Sequence, residues 1–374
     1  MKKIQNIQED LTTAFHQNFS EELECGASLA VYHRGEKVLS LFGGWRDAAK
    51  TQPWTTDTLA LIWSAGKGVA AACLLHVLQE KGISLEEPVV TFWPEFAAGG
   101  KEKTTIAQLL SHRAGLAALD QKGLSLRDHE AVVKALAAQS PNWKYDGRHG
   151  YGARTFGFLV DELLRRINEG ESLAAYWRRI FADPLELDLW FGVSSEDLSR
   201  IAAVISPKKA PPLDQFMIAY GNPFSLTRRT FAEPEGHYPP TAMNQPLVHQ
   251  SSIISFGALS TADALAKFYS LLATHDSGYF TPTTLAQMET PLASGKDRVL
   301  LTETTFSAGF MMSKNQSLLG SSSRSFGHPG AGGALAFADP EHEIGFAYLP
   351  NAMQPGTLPG PRTQRLVEAL YKTI

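Results

Sequence analysis

Residues 61–82 of this 374-residue chain read LIWSAGKGVAAACLLHVLQEKG. Apolar residues recur in this stretch with the spacing of one buried helical face: Val69, Ala70, Cys73, Leu74, Val77 and Leu78. Gly82 follows them and is suited to end the helix in a left-handed conformation. Ser64 and Lys67 stand one turn apart at the start of the helix, so the hydroxyl and the amine can form a hydrogen bond. The stretch therefore predicts a long helix with a serine–lysine pair at its N-terminus.

The S-x-x-K spacing of Ser64 and Lys67 suits nucleophilic catalysis. A serine hydroxyl becomes a good nucleophile only when a base removes its proton. A lysine serves as that base only if burial or neighbouring cations lower its pKa from about 10.4. By itself the pattern has low specificity, because it has only two fixed positions and because serine often caps helices.

Both ends of the chain show strand patterns. One β-hairpin is predicted at residues 27–32 and 37–42, and a second at residues 334–338 and 344–349, each pair joined by a turn of polar residues. An amphipathic helix is predicted before the first hairpin, over residues 4–19, and another helix follows the second hairpin. A sheet assembled from the two ends of the chain is the simplest arrangement of these elements.

The middle of the chain is mostly helical by its apolar spacing, including a second clear helix that begins near Phe156. Residues 207–246 lack sustained periodicity and are predicted to form long loops. We therefore predict an α/β (α+β) fold, an antiparallel β-sheet flanked by helices and built from both termini, with a mostly helical domain inserted. The predicted sheet domain comprises residues 1–75 and 250–374, and the predicted inserted domain comprises residues 76–249.

Composition excludes several classes of function. The net charge of -4 and the 19% of charged residues are ordinary for a globular protein, and no basic patch favours nucleic acid. No apolar run is long enough for a membrane span or a secretory signal, so we expect a cytoplasmic protein that does not bind membranes. Two cysteines are too few for a disulfide framework. The histidines have no metal-ligand spacing, and G-x-S-x-G and nucleotide-binding motifs are absent, so we expect no metal and no cofactor.

Three segments resemble one known family. Leu61 to Gly68, followed by the apolar helix, resembles the active-site segment of class C β-lactamases, DD-peptidases and family VIII carboxylesterases. Val89 to Phe96 resembles the family's V-x-x-(F/Y)-W-P-E-F stretch, and Thr105 to Leu116 resembles another characteristic string of the family. The resemblance implies a β-lactamase/transpeptidase-like fold with the active site between the two domains.

The resemblance also implies the remaining site residues. Tyr151, just before a predicted helix, matches the family's catalytic tyrosine, and its phenol would shuttle protons after being ionised or readily deprotonated beside Lys67. After the motif of Ser64 and Lys67 and the motif of Tyr151, the family has a third motif, and residues 327–333 match the form of it that contains histidine. By the resemblance, His328 orients or polarises the Lys67–Tyr151 network. The glycines of the same segment, Gly330 among them, allow the backbone to approach substrate. The N–H groups of Ser64 and Ala331 would form the oxyanion hole.

Departures from the family pattern narrow the expected substrate. Many β-lactamases have Tyr-x-Asn where this chain has Tyr151-Gly152-Ala153, so an amide that contacts β-lactams is missing. We therefore expect an esterase that acts on a small-molecule ester through an acyl-enzyme on Ser64. A β-lactamase, a D-amino-acid peptidase or amide hydrolase, an acyltransferase, and a non-catalytic ligand sensor remain alternatives.

The sequence leaves open the oligomeric state and whether Lys67 or Tyr151 is the base. His112 and His149 lie beside matched segments, and we expect both to form structural hydrogen bonds.

Overall fold

The computed structural model describes residues 2–235, 239–274, 278–313, 317–356, 358–372 and 374. The α-helices of these ranges are α1 (Lys2–Ser20), α2 (Gly66–Lys81), α3 (Ile106–Leu110), α4 (His129–Ala138), α5 (Thr155–Ile167), α6 (Leu173–Trp177), α7 (Gln215–Gly221), α8 (Leu226–Ala232), α9 (Pro246–His249), α10 (Ala262–Ala273), α11 (Pro282–Glu289) and α12 (Pro361–Tyr371). The strands are β1 (Gly26–His33), β2 (Glu36–Gly44), β3 (Ala60–Leu61), β4 (Leu189–Trp190), β5 (Leu259–Ser260), β6 (Ala293–Lys296), β7 (Glu303–Phe306), β8 (Met311–Met312), β9 (Phe326–Pro329), β10 (Leu335–Asp339) and β11 (Ile344–Pro350).

The two ends of the chain meet in one antiparallel sheet. Its eight strands lie in the order β2-β1-β11-β10-β9-β8-β7-β6. The first strand pairs with the last, with Ala27 opposite Pro350 and His33 opposite Ile344. Both predicted terminal hairpins are present, and they are joined at this pairing. The predicted fold class, an antiparallel sheet built from both termini and flanked by helices, is confirmed.

Helices cover both faces of the central strands. Alternate residues of β1 point to opposite faces, so Leu29 packs in one apolar cluster with α1 and α12, while Ala30 packs in another with α10. On the α10 side the helix lies directly on the sheet, since a Cβ on Gly345 would be 2.3 Å from the backbone nitrogen of Ser270. The central strands are therefore buried on both faces, whereas β2 at the edge is partly exposed.

Helix α2 is more deeply buried than its sequence pattern predicts. Instead of one buried face, every residue from Gly66 to Leu78 is buried. The helix packs against α5, α6, α11 and β9, and a Cβ on Gly68 would be 2.2 Å from the hydroxyl of Tyr269 on α10. The predicted end is confirmed, because Gly82 caps the helix with a φ of 64°. A helix surrounded by other elements is apolar all round, which explains the difference.

The prediction of long loops over residues 207–246 is wrong in part. Helices α7 and α8 lie there, and each begins at a side-chain cap, since Asp214 accepts from the backbone N–H of Met217 and Ser225 from that of Arg228. With seven residues each, these helices are too short to produce a recognisable apolar period. The two short capped helices were therefore not predicted, because they lie among turn-forming residues.

The proposed division into two domains stays a prediction. Its first boundary, after residue 75, lies within the continuous helix α2. In the ranges that the structure describes, each helix is too short or too polar to cross a lipid bilayer.

Candidate active site

Ser64 lies at a sharp bend between a strand and the buried helix α2. A short 3₁₀ turn, Trp63–Ala65, joins β3 to α2 directly. Trp63 has a φ of 52°, in the left-handed region that side chains other than glycine rarely adopt. The backbone N–H of Ile62 donates to the carbonyl of Ala258 at 3.0 Å, which fixes the approach to this turn. Ser64 is thereby presented half-buried at a helix N-terminus, where free N–H groups favour negative charge.

Lys67 faces Ser64 from the next turn. Its side chain is completely buried, and its Nζ lies 3.1 Å from the Oγ of Ser64. Two carbonyl oxygens also accept from Nζ, that of Ala153 at 3.0 Å and that of Ser255 at 2.6 Å. No carboxylate of the described residues forms an ion pair with it, and burial lowers the pKa of Lys67 well below its usual value.

These contacts fit an ammonium, which would donate to all three oxygens, and they also fit the neutral amine that burial favours. A neutral lysine has two N–H bonds, which match the carbonyls of Ala153 and Ser255, and one lone pair, which is left for the hydroxyl of Ser64. A lone pair directed at a serine hydroxyl is the arrangement that general-base activation requires.

Tyr151 lies on a third side of the serine. Its ring centroid is 5.0 Å from the Nζ of Lys67, and its ring packs near those of His112, Phe306 and His328. Burial raises the pKa of the Tyr151 phenol, and a hydrogen bond with Ser64 opposes that rise only partly. Burial thus opposes both the ionised phenol and the lysine ammonium, and the expectation of a readily ionised phenol beside Lys67 stays a prediction.

Three consecutive peptide N–H groups hold the tyrosine segment in place. The N–H of Gly150 donates to the carbonyl of His112 at 3.1 Å, and that of Gly152 donates to the His112 Nδ1 at 3.2 Å. Between them, the N–H of Tyr151 donates to the carboxylate of Asp297. His149 lies with its Nε2 2.7 Å from the Oγ1 of Thr304. Both histidines thus have the structural hydrogen bonds expected of them.

His328 reaches the site from β9. Its Nδ1 lies 2.8 Å from the carbonyl oxygen of Pro329 and donates to it, which leaves Nε2 as a buried acceptor without a partner among the described residues. Burial, assisted by the nearby Lys67, lowers the pKa of His328 to about 3. The imidazole is therefore neutral at ordinary pH and brings no positive charge to the site.

The end of β9 lies against the turn that carries Ser64. A Cβ on Gly330 would be 2.4 Å from the carbonyl oxygen of Ile62 and 3.2 Å from the Cβ of Trp63. Only glycine permits this approach, and Ala331 follows it in a short turn, Ala331–Gly333. The structure therefore brings the third motif, residues 327–333, beside the turn that carries Ser64.

Two residues at the site had no signal in the sequence. Ser255 and Asp297 lie in segments without a recognisable motif, and both act on the site through hydrogen bonds to backbone or lysine atoms. Such contacts depend on the path of distant segments, so residue type and spacing cannot reveal them.

An antiparallel sheet joined from both chain ends, beside a buried helix that begins with a serine–lysine pair, defines the class of penicillin-recognising serine hydrolases. The Beta-lactamase family model matches residues 15–371, and the chain belongs to this family.

Individual relatives agree with this assignment. The esterase/β-lactamase LipL of Mycobacterium tuberculosis is 31% identical over 354 residues, which cover 91% of this chain and 80% of LipL. A penicillin-binding protein homologue from Caulobacter crescentus has a TM-score of 0.89 at 32% identity, covering 98% of this chain and 97% of its own. A family VIII carboxylesterase has a TM-score of 0.88 at 29% identity, covering 98% of both chains. The chain therefore belongs among hydrolases of the β-lactamase fold that have esterase relatives.

Proposed function

We propose that the chain is a serine carboxylesterase that forms an acyl-enzyme on Ser64. The observation that carries the proposal is the buried amine of Lys67, 3.1 Å from the Ser64 hydroxyl and bonded otherwise only to carbonyl oxygens among the described residues. A neutral amine in this setting accepts the proton of serine, and we therefore assign the base to Lys67 rather than to Tyr151.

The reaction follows from these positions. Lys67 takes the proton of Ser64 as Oγ attacks the ester carbonyl carbon, and the resulting oxyanion is held by the N–H groups of Ser64 and Ala331. The C–O bond to the alcohol then breaks as Tyr151 gives its proton to the leaving oxygen and regains one from Lys67. Water repeats the sequence on the acyl-enzyme, releases the acid and returns the proton to Ser64.

The charge of the site supports neutral esters as substrates. β-Lactam antibiotics carry a carboxylate, which a cationic residue binds best. Here His328 is neutral, because burial lowers its pKa to about 3, and Ala153 contributes no amide group. The esterases and the carboxylesterase among the relatives support the same substrate class.

Hydrolysis of short p-nitrophenyl esters tests the proposal. We expect turnover by the wild type and by Ser199→Ala, an exposed serine, and a loss of at least about 10³-fold in Ser64→Ala. A fluorophosphonate probe followed by mass mapping should modify Ser64. Unchanged turnover in Ser64→Ala discards the assignment, and a folded wild type that the probe does not label supports a non-catalytic ligand sensor instead.

A β-lactamase activity is the second candidate, because LipL is named as both an esterase and a β-lactamase. Turnover of a chromogenic cephalosporin, a D-alanyl amide and a p-nitrophenyl ester on one sample separates these activities. We expect the ester to have the highest kcat/KM. A higher value for the cephalosporin or the amide would replace the carboxylesterase assignment, and ester product formed with an added alcohol would indicate acyl transfer.

A further inference from the structure

Asp297 is a fully buried carboxylate in the loop between β6 and β7. Its Oδ1 accepts from the N–H groups of Val299 at 2.7 Å and Leu300 at 2.9 Å, within its own loop. Both of its oxygens also accept from the N–H of Tyr151, at 3.2 and 3.1 Å. One side chain thus caps its own turn and holds a residue 146 positions earlier in the sequence.

The other neighbours of Asp297 are also donors. The hydroxyl of Thr304 lies 3.4 Å from Oδ2, and the Nε2 of His149 lies 2.7 Å from that hydroxyl. With the proton on Nε2, His149 donates to Thr304 and Thr304 donates to Asp297. In each of these hydrogen bonds the carboxylate is the acceptor, and the Nε2 of His149 itself lies 3.7 Å from Oδ2. Such donors stabilise a buried carboxylate that has no lysine or arginine partner among the described residues.

The tyrosine segment depends on anchors of this kind. Residues 149–152 belong to no helix or strand, so their N–H groups are not held by regular structure. His112 fixes the peptide groups on either side of Tyr151, and Asp297 fixes the group of Tyr151 itself. Loss of the central anchor would let the phenol move relative to Ser64.

We propose that Asp297 is a positioning residue, which holds the backbone of Tyr151 so that the phenol lies within proton-transfer distance of Ser64. The inference rests on the proposed function, because it assigns Tyr151 a part in the reaction. The role is exerted through hydrogen-bond acceptance by the Asp297 side chain and needs no contact with substrate.

Two substitutions separate the local bonds from the distant one. In Asp297→Ser the short hydroxyl still caps the N–H groups of Val299 and Leu300, as serine does in turns, but it does not reach Tyr151. In Asp297→Asn an oxygen remains for all three N–H groups, and the new amide donates to Thr304. The pair therefore differs at the tyrosine anchor while both keep the turn.

Asp339 provides a matched control. It is also fully buried, and its Oδ1 accepts from the N–H groups of Glu341 at 3.1 Å and His342 at 3.4 Å in the turn after β10. Its remaining partners are the side chains of His342 and Tyr371, away from Ser64. Asp339→Ser and Asp339→Asn thus repeat the chemical changes at a site with no link to Tyr151.

The experiment measures the rate of Ser64 labelling by a fluorophosphonate probe and kcat/KM for a p-nitrophenyl ester, alongside thermal unfolding. We expect Asp297→Ser to label on the order of 10²-fold more slowly than the wild type, since a misplaced reacting group costs about this factor. Asp297→Asn should label up to about fivefold more slowly than the wild type, because it keeps Oδ1 as the acceptor for Val299, Leu300 and Tyr151 and loses the contacts that Oδ2 accepts from Tyr151 and Thr304. Both Asp339 variants should label at the wild-type rate.

A folded Asp297→Ser variant that labels at the wild-type rate overturns the inference. So does a loss in Asp339→Ser as large as that in Asp297→Ser, since stability alone would then explain both. If Asp297→Ser does not fold, Asp297→Asn decides, because it removes one of the two oxygens that accept from Tyr151: slower labelling than in Asp339→Asn supports the inference, and labelling at the Asp339→Asn rate overturns it. Absence of labelling in the wild type would instead remove the proposed function.

Discussion

The ε-amine of Lys67 donates to the carbonyl oxygen of Ser255 at 2.6 Å, although the two residues are separated by 188 positions in the sequence. A helix alone places Lys67 near Ser64 but leaves its long side chain free to rotate. The carbonyls of Ser255 and Ala153 remove that freedom, because both accept from the amine. Ala153 is two residues beyond Tyr151, so the same contact also joins the first and second motifs.

Lys67→Met should abolish esterase activity while leaving the protein folded. Methionine fills the buried space but offers no base, so kcat/KM should fall by at least about 10³-fold. Lys101→Met is the matched control, since Lys101 is also buried and donates to the carbonyls of Ala98, Ala137 and Gln139 far from Ser64. Steady-state ester hydrolysis checks both variants, and equal losses of activity would refute the role of Lys67.

The pH dependence of kcat/KM should show an acid limb set by Lys67. Burial lowers the pKa of Lys67 well below its usual value, and only the neutral amine accepts the proton of Ser64. Activity should therefore rise with pH and reach its plateau well below pH ~10.4, the ordinary pKa of lysine. A pH–rate profile that continues to rise up to about pH 10 would contradict this.

Stability should respond to pH through the same residue. Because the folded pKa of Lys67 is lowered, the unfolded chain binds one proton more between that pKa and about 10.4, and stability rises with pH across this window. The unfolding free energy of the wild type should gain about 1.4 kcal/mol per pH unit relative to Lys67→Met. Urea unfolding at several pH values between 8 and 9.5 (roughly the upper part of this window) measures the difference. Parallel curves for the two proteins would show that Lys67 is charged in the folded state.

Gly330→Ala should impair catalysis more than stability. The new Cβ would lie 2.4 Å from the carbonyl oxygen of Ile62, so β9 and the Ser64 turn would have to move apart. A shift of about 1 Å at the reacting groups lowers kcat on the order of 10²-fold. Gly221→Ala is the control, because a Cβ there has no neighbour within 4 Å. Comparable kcat values for the two variants would mean that this approach does not affect the site.

Arg362→Met should destabilise the fold strongly. Its guanidinium pairs with Glu24 at 3.0 Å in a buried setting and also donates to the carbonyls of Leu23, Gly332 and Ala352. Because burial already raises the pKa of Glu24 to about 8, this carboxyl takes up a proton when the cation is lost, and the main cost is the three carbonyls left without their donor, about 1–3 kcal/mol for each group left unsatisfied. Arg365→Met, on the same helix, breaks the more exposed pair with Glu21 and should cost at most about 1 kcal/mol. Denaturant unfolding distinguishes the two, and similar losses would contradict the burial argument.

The sequence predicted most of the fold because its decisive elements are local. The terminal hairpins, the helix after Ser64 and its end at Gly82 depend on apolar spacing, turn residues and a cap, all of which act over a few neighbouring positions. Helices α7 and α8 escaped prediction because seven residues carry too little periodicity. The complete burial of α2 also escaped, since it is decided by the elements that surround the helix.

By itself the sequence determined the chemical types at the site and their three motifs around Ser64, Tyr151 and His328. Tertiary structure alone decided the direction in which their pKa values shift and their exact neighbours. A pKa depends on desolvation and on nearby charges, and the pKa values of Lys67 and His328 are lowered because distant segments exclude water from them. The contact between Asp297 and Tyr151 could not be predicted from the sequence either, since a hydrogen bond across 146 positions exists only once the chain has folded.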